Sequence, residues 1–248
     1  MIKSVKKAMD ILTILSGNAE TPMTLSELAE KTGLNKSTCA HIIDTMCDSL
    51  YVERVSRKEG YRLGPWAYML SRYGAYNSSL IKVATPIIKW LHSQTGASAF
   101  ISVVTNGRKY IIYHIDKEGI LPMSDGSIIQ GYMEATATGR ILLAYMDSEA
   151  LHYTIARMSE EEGRSGAEIL DNELKAELKK IRAAGYAHCS VEMDQTESFA
   201  FPVNDGSKVI ASVGVLYSKS KDSEEYREKI VKQGRMAANE ISHRLAFK

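Results

Sequence analysis

Residues 24–50 read TLSELAEKTGLNKSTCAHIIDTMCDSL, the pattern of two short amphipathic helices with a tight turn between them. Thr24-x-x-Glu27 has the spacing of a capping box, in which each side chain accepts from an orphan backbone N–H at the helix start. Leu25, Leu28 and Ala29 form the inner face of the first helix. Gly33 is suited to the left-handed backbone that closes it, and Asn35 is a good N-cap for the second. In that second helix Ile43, Met46 and Leu50 point inward with Cys39 and Cys47 beside them, and Lys36, Ser37, Ala40, His41, Asp44 and Thr45 point outward. Short hydrogen-bonding side chains on an outer helix face suit the major groove of DNA. Ser37 and Thr38 fall in the first turn, where backbone N–H groups and the helix dipole favour phosphate, while Lys36 and His41 reach a phosphate or a base edge.

Directly downstream, YVERVSRKEGYRL predicts a β-hairpin with strands at 51–55 and 61–63 and a basic tip at Arg57 and Lys58. Helix-turn-helix plus hairpin makes a winged DNA-binding module. Upstream, Val5, Met9, Leu12 and Leu15 repeat every three to four residues, the stripe of one buried helix face, and Gly17 ends that helix. The MIKSVKKAMDIL start has no continuous apolar run and reads as an amphipathic helix, not a signal peptide. The net charge of the 248-residue chain is +1, and residues 1–63 hold nine Lys/Arg against eight Asp/Glu. Position matters more than the sum: Lys3, Lys6 and Lys7 open the first helix, and Arg54, Arg57, Lys58 and Arg62 sit on the hairpin.

The length fits two domains. Three cysteines, Cys39, Cys47 and Cys189, have no metal spacing and form no disulfide framework, which points to the cytoplasm. Pro65 suits the first turn of a linking helix, with Trp66, Leu70, Tyr73 and Asn77 on one face. A helix follows over about 79–95. Then AFISVVT and YIIYHID flank Asn106-Gly107, a strong hairpin signal. Residues 117–136 are glycine-rich and irregular, as a loop over a pocket would be. Helices are expected at about 138–146, in a short piece from Ser148, at 171–184 and at 222–246, with strands at 197–203 and 208–217. The layout expected is a sheet with helices on one face and the loop on the other.

Taken together, LSELAEKTGLNKST, the wing ending YRLG, ATATGRILLAYM at 135–146, GYA at 185–187 with Glu192, and FAFPVND at 199–205 leading into KVIASVGVL resemble the isocitrate lyase regulator (IclR) family of bacterial transcription factors. The resemblance covers essentially the whole chain. It implies an α+β protein with an N-terminal winged helix-turn-helix over 1–63, a linking helix over 64–78 and a C-terminal GAF-like α/β effector-binding domain over 79–248. It also implies a homodimer, or a dimer of dimers, on a palindromic double-stranded DNA operator. The chain departs from the family pattern in places. His41 stands where Arg is frequent in the recognition helix, and Gly139-Arg140 replaces a glycine-lysine step. The loop from Glu192 to Pro202 is about one residue short and lacks the usual glycine, and Gly214 and Leu216 match positions where some members place two serines.

By this resemblance the ligand-facing positions are Ile120, Met123, Met133, Ala137, Thr138, Glu192, Asp194 and Ser198. Met and Ile supply apolar walls, and Thr138 with the N–H groups at the start of its helix can hold the carboxylate of a small acid. Met123 and Met133 read equally well as core filler, and Thr138 as a helix cap. The DNA-facing set is Lys36, Ser37, Thr38, Ala40, His41, Thr45, Arg57 and Lys58. The expectation is a ligand-responsive regulator, repressing in the simplest case, that needs no cofactor, metal or membrane. Its rivals are a ligand-independent architectural protein and an enzyme with a DNA-binding appendage. His114 and Asp116 share a strand face, as would His188, Ser190 and Glu192, but neither is a recognised catalytic set, and no Walker loop, dinucleotide fingerprint or HExxH occurs.

Overall fold

The computed structural model describes residues 2–17, 21–56, 58–73, 78–116, 132–191 and 195–246. They fall into two compact units, one holding the described residues up to 73 and the other those from 78 onward. The first unit comprises α1 (Lys3–Gly17), α2 (Leu25–Thr32), α3 (Lys36–Asp48), the hairpin β1 (Val52–Ser56) and β2 (Gly60–Leu63), and α4 (Pro65–Tyr73). The second comprises α5 (Ser78–Thr95), β3 (Ser98–Thr105), β4 (Arg108–Ile115), α6 (Ala137–Tyr145), α7 (Ser148–Glu162), α8 (Gly166–Ile169), α9 (Asn172–Ala184), β5 (Ala187–Val191), β6 (Thr196–Asn204), β7 (Val209–Ser218) and α10 (Glu224–Ala246). Among the described residues no helix is long and apolar enough to cross a membrane.

The local signals act as the sequence predicts. Thr24 and Glu27 form a reciprocal capping box, worth about 1 kcal/mol. Gly33 closes α2 at φ 65°, and the Asn35 side chain accepts the Thr38 N–H at the start of α3. The core of this unit gathers Ile11, Leu15, Leu28, Cys39, Ile43, Met46, Val52 and Tyr61.

Two readings need correction. The buried face of α1 carries Ile11 and Leu15, whereas Val5 and Met9 are 51% and 55% exposed. Ile11 lies one turn before Leu15 on the same face, so the buried stripe is rotated by about a quarter turn from the one read, keeps Leu12 and Leu15, and leaves Val5 and Met9 outside. Leu50 does not point inward: it takes positive φ just past α3 and is half exposed.

In the second unit β4-β3-β7-β6-β5 form one antiparallel sheet. Alternation along the strands sends Ala99, Ile101, Val103, Phe199, Phe201, Val213 and Val215 to one face, against α5 and α10. The opposite face meets α6 and α9, so helices cover both faces, not one as the pattern suggested. The reason lies in α6, where ATGRILLAY is apolar almost all round, with every residue from Ala137 to Ala144 buried except Arg140. Such a helix needs cover on both sides. The β3–β4 turn has Asn106 and Gly107 both at positive φ, as its sequence requires. The expected short helix at Ser148 runs 15 residues, and β5 completes the sheet edge. Most of the predicted 117–136 loop lies outside the described residues.

Candidate functional site

On α3, Lys36, Ser37, His41 and Thr45 are exposed, and Thr38 and Ala40 are half-buried. Ser37, His41 and Thr45 stand four residues apart and so form a single line along the helix. The Thr38 N–H is already taken by Asn35 Oδ1 at 2.8 Å. A phosphate at this end would therefore meet the Lys36 and Ser37 N–H groups, which no intrahelical carbonyl can reach. Thr45 Oγ1 donates to the His41 carbonyl at 2.9 Å, so toward a base its hydroxyl offers an acceptor.

One feature of this surface was only partly legible: Lys3 and Lys7 of α1 line the same groove as Thr38, His41 and Thr45. Lys6 is instead paired with Asp10 at 2.8 Å. On the hairpin, Arg54 lies over the Tyr61 ring and bonds its hydroxyl, and Arg62 pairs with Glu53 at 3.1 Å. Lys58 is exposed, and Arg57 lies outside the described residues.

In the second unit Ile120, Met123, Glu192 and Asp194 lie outside the described residues. Of the rest, Met133, Ala137 and Thr138 are buried together at the start of α6. Met133 packs into the core beneath that helix, and Ser198 lies on β6 opposite Cys189 and Leu216. The N-cap of α6 is Thr136, not Thr138: its Oγ1 accepts the Gly139 N–H at 3.2 Å. Thr138 sits inside the first turn, with its carbonyl accepting from Ser212 Oγ at 3.3 Å. A Cβ at Gly214 would lie 2.4 Å from the Phe100 ring and 2.7 Å from the Thr138 methyl. The space a serine would occupy there is thus filled by its neighbours.

The residue that the sequence reading missed is Lys109. It follows the Asn-Gly turn beside Arg108, where a cation looks like an ordinary hairpin tip. The signal was alternation, because Lys109 shares a strand face with Ile111 and not with solvent. It is 1% exposed, with Nζ 2.7 Å from Thr136 Oγ1 and 3.4 Å from Thr138 Oγ1. Burial disfavours the ammonium and brings its pKa from 10.5 down to about 7, with the nearby Cys189 acting in the opposite sense.

Because the folded value is depressed, the unfolded chain holds more protons between about pH 7 and 10.5, and this group makes stability rise with pH in that window. Below it the whole cost of burial is borne. Lys109→Met is expected to raise stability at pH 6 by a few kcal/mol and to flatten the rise between pH 7 and 10. Thr136 keeps its bond to Gly139 in the variant, and the loss at the buried Thr138 hydroxyl is confined to its long 3.4 Å contact with Nζ. Urea unfolding at pH 6, 8 and 10 checks this; equal stability of both proteins at pH 6 would contradict it.

The histidines build no catalytic set. His188 Nε2 and Ser190 Oγ both bond the buried Glu197 carboxylate, at 2.6 and 2.8 Å, and His188 stacks on Phe199. The serine donates to the carboxylate and not to the imidazole, so no serine–histidine pair is assembled. Cys189 points to the opposite sheet face, and burial raises its thiol pKa. Asp116 accepts from Ser98 Oγ at 2.7 Å. Among the described residues no group of His, Cys, Asp and Glu could hold a metal ion.

Comparison with known proteins agrees with this two-part layout. The family model described as the IclR helix-turn-helix domain matches residues 4–56, and that described as bacterial transcriptional regulator IclR C-terminal matches residues 75–243. The HTH-type transcriptional regulator KdgR of Dickeya chrysanthemi is 25% identical over 248 residues, covering 99% of this chain and 81% of the relative. Among solved structures, an IclR transcriptional regulator from Alicyclobacillus acidocaldarius aligns with a TM-score of 0.74 at 24% identity, covering 99% of each chain. An IclR homolog from Microbacterium hydrocarbonoxydans complexed with 4-hydroxybenzoate aligns with a TM-score of 0.75 at 18% identity, covering 99% of this chain and 100% of the other.

Proposed function

The chain belongs to the IclR family of bacterial transcriptional regulators, which are not enzymes, and we propose that it represses transcription from a palindromic operator until a small organic acid releases it. The observation that carries this reading is the polar Ser37–His41–Thr45 line of a capped α3, with Lys3 and Lys7 beside it. That is a surface able to follow a groove and hold phosphates. Ile2 just before α1, Val5 and Met9 on α1, and Trp66, Tyr68 and Leu70 on α4 are exposed. Apolar side chains left outside in this number favour burial against a second copy. Two copies would place their α3 helices in successive major grooves, about 34 Å apart.

The acid enters by analogy with the relative crystallised with 4-hydroxybenzoate and by the buried cation beneath α6. An effector shifts operator affinity only by as much as it prefers one arrangement of the dimer to the other. Footprinting on the DNA upstream of neighbouring genes, with and without a panel of acids, tests the proposal. Protection of a palindromic site that fades with an acid supports it, and a footprint unchanged across the panel overturns the ligand control.

Within the DNA surface, His41→Ala is expected to relax preference at one base step. Lys58→Ala should weaken all sequences alike and lower the salt slope by about one. A selected-site profile that His41→Ala leaves intact would remove the base-reading role from His41.

A further inference from the structure

We propose that Asp44 reads a cytosine in each half-site by accepting a hydrogen bond from its N4 amino group. The inference rests on the reading of α3 as the helix that enters the major groove and adds to it the identity of one base. Each residue of a helix turns about 100° from the last, so Asp44 lies within about 20° of Ser37 and about 60° from His41 around α3. The buried residues Cys39, Ile43 and Met46 lie on the opposite side. The Asp44 carboxylate is exposed and stands near the centre of the face that the core leaves outside.

Its own module leaves that carboxylate open. Among the described residues of this unit the ion pairs are Lys6–Asp10 and Arg62–Glu53. Arg54 feels the charge of Asp44 but turns its guanidinium to the ring and hydroxyl of Tyr61. An open carboxylate on a DNA-facing surface is repelled by the phosphates it approaches. A donor among the bases offsets that repulsion.

The major groove offers amino donors on cytosine and adenine, whereas guanine and thymine present acceptors there. A carboxylate only accepts. On adenine the N7 acceptor sits beside the N6 donor and repels the second carboxylate oxygen, so cytosine is the base favoured. The guanine paired with it presents two acceptors. Ser37 and His41, exposed donors on the same face as Asp44, can meet them. Asp44→Ala should lose preference at that position alone, and its binding to random duplex should tighten by about threefold as a repelled charge is removed. Asp44→Asn puts an amide in place, which bonds adenine N6 and N7 together, so the preferred base should move from cytosine to adenine. Asp48 is exposed on the same face at the end of α3. Asp48→Asn makes the same change of charge and should leave every base preference as it was.

The test uses the purified full-length chain and these three variants, with thermal unfolding to show that each is folded. Each selects duplexes from a random pool, and fluorescence anisotropy then compares the recovered site with its single-base variants. The expected wild-type result is a cytosine in each half-site preferred about tenfold over the other bases. That preference should vanish in Asp44→Ala, turn to adenine in Asp44→Asn and persist in Asp48→Asn. Loss in Asp44→Ala of a base other than cytosine overturns the assignment, as does loss of the same cytosine in Asp48→Asn. A wild type that selects a site which Asp44→Ala leaves intact defeats the role of Asp44 alone. A wild type that selects no site defeats the DNA reading of α3, and the role of Asp44 with it.

Discussion

Lys36→Glu combined with His41→Glu is expected to abolish sequence-specific DNA binding, with affinity falling by about 100-fold or more at physiological salt. Both positions are exposed on α3. The change sets carboxylates against phosphates where the wild type offers a cation and a donor. The fold should not suffer, because an acidic residue in the first helical turn is favoured by the dipole, and neither side chain belongs to the core around Ile43 and Met46. Fluorescence anisotropy on a duplex recovered by selection reads the affinity, and thermal unfolding confirms that the module is intact. Binding within about threefold of wild type would place the DNA surface elsewhere.

Gly139→Ala is expected to destabilise the second unit by about 3 kcal/mol, lowering its Tm by roughly 6–12 °C. In an ordinary helix this substitution gains up to about 1 kcal/mol. Here the sign reverses, because a Cβ would lie 2.0 Å from the Met133 carbonyl oxygen and 2.7 Å from its carbon. Those are backbone atoms of the 3-10 turn Met133–Ala135, which cannot swing away as a side chain would. Pushing them back shifts Thr136, and with it the Lys109 contact, so any acid binding should weaken in parallel. Calorimetric unfolding checks the stability. An unchanged or raised Tm would show that the turn yields freely.

Much of the fold was legible because its punctuation is local. Thr24, Gly33, Asn35, Pro65, Asn106-Gly107 and Gly185 act through their own backbone angles and hydrogen bonds, and each marks the boundary predicted for it. Tertiary choices were harder to read. The stripe on α1 could not reveal which apolar residues meet their own chain, since Val5 and Ile11 look alike until a neighbour covers one of them. Leu50 was carried inward by helical periodicity after the helix had already ended. Lys109 hid because a lysine next to a turn is usually solvated, and only strand register showed it under α6. Four of the eight ligand-facing candidates lie outside the described residues, so their roles stand as expectations of the resemblance.

The central claim is that the amino-terminal module reads DNA sequence under chemical control from the larger unit. Selection of bound duplexes from a random pool by the purified chain, with competitor DNA and with or without an acid panel, tests it most directly. The expected result is enrichment of a two-fold symmetric site, with half-sites about one helical turn or a multiple of it apart, whose recovery an acid changes. A pool that stays random under every condition would contradict it.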